Sequence, residues 1–81
     1  MKDTLLYLLT ALVDHADALV IDEQPAEGGT VYVVHAHAED MGKIIGKSGR
    51  IIRAIRDLVK LMATKKGMYV DVELAEEVKS S

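Results

Sequence analysis

Two glycines three positions apart, Gly46 and Gly49, interrupt the apolar pattern of the chain's second half and leave Lys47-Ser48 between them. Paired isoleucines flank the interruption, Ile44-Ile45 before and Ile51-Ile52 after, and read as the ends of two helices. A turn without Cβ atoms lets a phosphodiester backbone come close to peptide N–H groups. The first N–H groups of the second helix lack intrahelical partners and lie at its positive dipole end, so they favour a phosphate oxygen. In this arrangement Gly46 and Gly49 permit the approach, Lys47 adds a point charge, Ser48 a hydroxyl donor and Arg50 a forked guanidinium. Lys43 and Arg53 contribute local positive field. Ile44, Ile45 and Ile52 are expected to line an apolar groove for bases beside the loop.

The net charge of the 81-residue chain is −3, which by itself argues against a polyanionic partner. The distribution reverses that impression. Between Met41 and Lys66 there are eight basic residues and one acid, Asp57, giving 8 − 1 = +7; the remainder has two basic and twelve acidic residues, or −10. Binding responds to the field within roughly 10 Å at moderate salt rather than to the total. A solvated charged helix is the ordinary fate of such a run; the size of the asymmetry favours a binding surface here.

The remaining chain reads as scaffold. Leu5, Leu8, Leu9, Leu12 and Val13 predict a helix over 4–14 with Asp3 or Thr4 as N-cap. A short strand is expected over 18–24, a turn over 25–29, and a strand over 30–38 in which Tyr32, Val34 and Ala36 alternate with Val33, His35 and His37. Asp40 opens a short helix ending at Ile45. A second helix runs from about Gly49 to Thr64 with Ile51, Ile55, Leu58, Val59 and Met62 on its apolar face and Arg53, Arg56 and Lys60 opposite, in line with Arg50. Lys65-Lys66-Gly67 supplies a basic last turn and a glycine stop. A third strand is expected over 68–74, with Val70, Val72 and Leu74 on one side. The order α-β-β-α-α-β predicts a two-layer α+β domain, a three-stranded mixed sheet covered by three helices. The last strand should run parallel to the second through a right-handed crossover. One domain over 1–81 is expected, ordered from about 3 to 75, with a frayed tail over 76–81.

Several chemistries are excluded. Cysteine is absent, so there is no disulfide framework or thiolate metal site. No secretory signal, lipid anchor or membrane span is read, and the expectation is a soluble cytoplasmic protein without membrane contact. Gly46-Lys47-Ser48 mimics the end of a nucleotide-binding P-loop, but Met41 stands where its first glycine belongs and a helix precedes it. His35 and His37 are read as strand residues rather than a chelate, and His15 as a helix-end residue, so no metal and no cofactor are expected. Asp71 and Glu73 are read as a solvated outer face. No nucleophile or general base converges on them, so no enzyme is expected. An aromatic base-stacking platform is disfavoured by three Tyr and no Phe or Trp. A helix-turn-helix DNA binder fits the helix pair but not its place between strands. A protein-interaction or homodimerisation module is the other alternative, with Leu6 off the main apolar stripe as its hint.

At Ile45-Gly46-Lys47-Ser48-Gly49-Arg50-Ile51-Ile52 the chain resembles the KH domain family, and its element order is similar to the prokaryotic, type II arrangement. Asp40-Met41-Gly42-Lys43, Leu12-Val13-Asp14-His15 and Ala63-Thr64-Lys65 extend the likeness to small bacterial single-KH proteins. Ser48 in place of a longer polar residue, and the added His35 and His37, depart from that pattern. The resemblance implies single-stranded RNA binding, with contacts from Lys43, Ile45, Gly46, Lys47, Ser48, Gly49, Arg50, Ile52 and Arg53. It implies an RNA-chaperone or post-transcriptional role, a second KH protein as partner, and a link to cell-envelope and cell-shape control.

Overall fold

The computed structural model describes residues 1–75. Helix α1 spans Lys2–Thr10, β1 Val20–Ala26, β2 Gly29–His35, α2 Met41–Ile45, α3 Arg50–Lys65 and β3 Val70–Leu74, with short 3₁₀ turns at Ala16–Ala18, Ala38–Asp40 and Lys47–Gly49. The α+β expectation and its element order hold. The tail expected to fray, 76–81, lies outside the described residues.

The sheet order is β1-β2-β3, with β1 antiparallel to β2 and β3 parallel to it, from Thr30 opposite Val70 to Val34 opposite Leu74. Period-two alternation carries through. Ile21, Tyr32, Val34, Val70, Val72 and Leu74 are all buried, and they meet Leu5 and Leu9 of α1, Ile44 of α2 and the apolar stripe of α3 in one core. The expected five-residue turn tightens to Glu27-Gly28, and Pro25 joins β1 opposite Thr30. β1 is an edge strand, so the missing proline N–H need not cost a ladder bond.

Two expectations shift. The first helix ends at Thr10 rather than Asp14. The Asp40 carboxylate captures the backbone N–H groups of Asp14 at 3.1 Å and His15 at 2.9 Å, turning the chain from helix toward β1. No side chain caps its start either; the Met1 carbonyl accepts the Leu5 N–H at 3.0 Å, and Asp3 sits inside the first turn. On α3 the buried stripe is Ile52, Ile55, Val59 and Ala63, while Leu58 is 44% exposed and Ile51 and Met62 are half-buried. The buried face is thus turned by about one residue from the expected phase.

Candidate nucleic-acid interface

α2 is five residues long and stops at Gly46, whose φ of 75° and ψ of 173° lie where essentially only glycine goes. A Cβ there would stand 2.5 Å from Ile51 Cγ1. Glycine is therefore required at this position by both conformation and room. Gly49 differs: φ 74° and ψ 17° are left-handed, but an added Cβ would meet nothing closer than Arg53 Nη2 at 3.9 Å. Its outer side is open to an approaching strand. Ser48 between them is also left-handed, at φ 58° and ψ 25°, a state unusual for a side-chain-bearing residue outside Asn, Asp and His.

The loop closes through the Gly49 N–H donating to the Gly46 carbonyl at 3.1 Å, and no side chain caps the start of α3. The Arg50 N–H is taken by the Lys47 carbonyl, so an anion at this sixteen-residue helix would be received by the N–H groups that follow it, at the positive end of the dipole. Lys47, Ser48, Arg50 and Arg53 are exposed around them. Among the described residues Lys47, Arg50 and Arg53 make no ion pair.

Other cations counted in the sequence are already engaged. Lys43 donates to the Asp14 carboxylate and lies 3.9 Å from Asp40, and the hydrogen bond it gives Asp14, against desolvation, raises its pKa. Arg56 Nε donates to the Val72 carbonyl at 3.1 Å, and Arg56 and Lys60 approach Asp71 at 3.7 and 3.6 Å. Asp71, expected on a solvated face, is instead half-buried and holds two cations of α3 to β3. His35 and His37 do not converge: His35 Nε2 lies 2.8 Å from Asp22, while His37 falls past the end of β2 and stacks on His15.

The expected apolar groove has other walls. Ile44 and Ile52 are core residues, 0% and 5% exposed, and Ile45 is half-buried. A groove of ≈ 420 Å³ lies instead between the end of α1 and the start of α3, lined by Leu8, Leu12, Arg50, Ile51, Ala54 and Ile55 among others. Arg50 and Ile51, the two residues after Gly49, are part of its wall. Leu8 and Leu12 were legible as one helical stripe, but nothing local says which neighbour that stripe faces.

The family model for the KhpA/KhpB KH domain matches residues 2–74. The chain is similar to "RNA-binding protein KhpA" of Listeria monocytogenes, 36% identical over 76 residues that cover 94% of this chain and 100% of the relative. The protein of the same name from Oceanobacillus iheyensis is 38% identical, covering 89% and 99%. That from Clostridium acetobutylicum is 39% identical, covering 91% and 99%. No solved structure gives a significant match.

Proposed function

This chain belongs to the KhpA/KhpB KH-domain family, and we propose that it is a single domain over 1–81 that binds single-stranded RNA without chemistry. The observation that carries the reading is the open start of α3: no side-chain cap, left-handed Ser48 and Gly49, and Lys47, Arg50 and Arg53 without an ion-pair partner among the described residues, around one loop. Gly46 sets the turn, Gly49 admits the phosphate backbone, and Lys47, Ser48 and Arg50 contact phosphates. The groove beside Ile51 takes a base. One such domain holds about four nucleotides, so tight binding comes from pairing domains through effective concentration.

The names of the relatives support RNA as the ligand, and a family model shared by KhpA and KhpB supports a KhpB-like KH protein as partner. An RNA-chaperone or post-transcriptional role in the cytoplasm, with output in cell-envelope and cell-shape control, rests on the family resemblance. No helix among the described residues is long and apolar enough to cross a membrane. A homodimerisation role has its own support in Leu58 and Leu61 of α3, 44% and 62% exposed. The helix-turn-helix alternative is disfavoured because α2, at five residues, offers little length to lie across a DNA backbone.

Fluorescence anisotropy with a short single-stranded RNA tests the site. The Lys47→Asp/Ser48→Asp variant should weaken binding tenfold or more while circular dichroism stays native, since Asp tolerates the left-handed state at Ser48. Native-strength binding by that variant would move the interface off the loop.

A further inference from the structure

His15 and Glu39 are 24 residues apart in sequence, yet His15 Nε2 lies 3.1 Å from Glu39 Oε1. His37 completes the group: its ring stacks on His15 with centroids 4.0 Å apart at 18°, and one donor atom from each of His15, His37 and Glu39 lies within 4.8 Å of the others. The cluster stands at the N-terminal end of α2, whereas the RNA loop follows its C-terminal end, so the loop's function does not use it. It is also anchored. Asp40, 1% exposed, fixes the backbone of His15 and Asp14, and the Glu39 N–H donates to His37 Nδ1 at 3.0 Å.

We propose that His15, His37 and Glu39 form a binding site for one divalent transition-metal ion of the zinc class. Two imidazoles and a carboxylate are a borderline donor set that suits zinc better than calcium or magnesium, which prefer oxygen alone. Three protein ligands leave the fourth tetrahedral position to water. Bonds of about 2.0–2.2 Å put tetrahedral ligand atoms roughly 3.4 Å apart, so the donors close up on the ion. Imidazole lone pairs lie in the ring plane, so the stacked rings also turn out of parallel. Both moves are side-chain rotations at the surface, because Asp40 holds the backbone and leaves the rings free. The ion takes the His15 Nε2 lone pair in place of the proton shared with Glu39, and the ring keeps one proton on Nδ1, so the ligand is a neutral imidazole. Ligation through His37 Nε2 places its remaining proton on Nδ1 and gives up the Glu39 N–H bond. The other charged groups facing the site are Asp14, Asp40 and the Lys43 ammonium bound to them.

Zinc alone is titrated into the full chain at pH 7.5, with calorimetry for stoichiometry and histidine-ring NMR for location. One ion per chain is expected, with the rings of His15 and His37 shifting and that of His35 still. His15→Ala/His37→Ala and, separately, Glu39→Gln should weaken binding at least tenfold, and His35→Ala should bind as the native chain does. If the double variant fails to fold, Glu39→Gln at an exposed carboxylate decides. The absence of saturable binding at millimolar zinc would overturn the site. So would ring shifts confined to His35, or native affinity in the Glu39→Gln variant.

Discussion

At the start of α3, Lys47, Arg50 and Arg53 stand in solvent with no carboxylate partner among the described residues, whereas one and two turns further on Arg56 and Lys60 are held by Asp71, and Arg56 also by the Val72 carbonyl. The two regions have the same sign of charge and the same helix beneath them. One is a surface left open; the other is a strut between α3 and β3. Lys43 belongs with the second, bound to Asp14 beside Asp40. Charge counted along a chain is therefore not charge available to a ligand: three of the eight cations between Met41 and Lys66 are already paired.

The sharpest way to break this comparison lies in the two glycines. Gly46→Ala forces a Cβ against Ile51 in a glycine-only conformation and should cost about 2–4 kcal/mol, read by thermal unfolding. Gly49→Ala meets open space and should cost only about 1 kcal/mol for its left-handed backbone, while still impeding RNA in anisotropy. Equal stability losses at both would undo the distinction between an inward and an outward glycine.

Next in size is the Asp40 clamp. Burial pushes the Asp40 pKa up, but the N–H groups of Asp14 and His15, with charge from His15 and Lys43, turn the net shift downward. The sign follows: a depressed folded pKa contributes stability above the ordinary carboxylate value near 3.9, lost as pH falls through the lower folded value. Asp40→Asn should lower the melting temperature by about 10 °C near neutrality and flatten that acid limb. A variant with the native acid profile would show that the clamp contributes nothing.

Smaller effects separate the two cation sets. Arg56→Ala loses its bond to the Val72 carbonyl and should cost about 1 kcal/mol of stability, with little change in the salt dependence of RNA binding. Arg53→Ala should leave stability within about 0.5 kcal/mol and weaken RNA severalfold. An exchange of these outcomes would assign the open and the structural roles the other way round.

The periodic features were readable in the sequence because they are local. Alternation in Thr30–His35 and Val70–Leu74, the Gly28 turn and the Gly46–Gly49 interruption each declare themselves within a few residues. What stayed hidden depends on distant partners. Asp40 holds the chain that follows α1, at Asp14 and His15, from 26 and 25 residues away. Asp71 removes Arg56 and Lys60 from the basic face. The groove forms only when Leu8 and Leu12 meet Ile51 across the fold, and Ile52, assigned to the site by its place beside the motif, turns inward to the core. Ser48 offered no warning of its left-handed backbone, since serine has no marked preference for it.

The most direct test of the open-cation account is the salt dependence of single-stranded RNA binding, measured by anisotropy. The three open cations around the loop predict a slope of log affinity against log salt of about −2. Neutralising Lys47, Arg50 and Arg53 together should bring it near zero, while Lys43→Ala/Lys60→Ala should leave it unchanged. A slope that survives the first set and falls with the second would contradict the account.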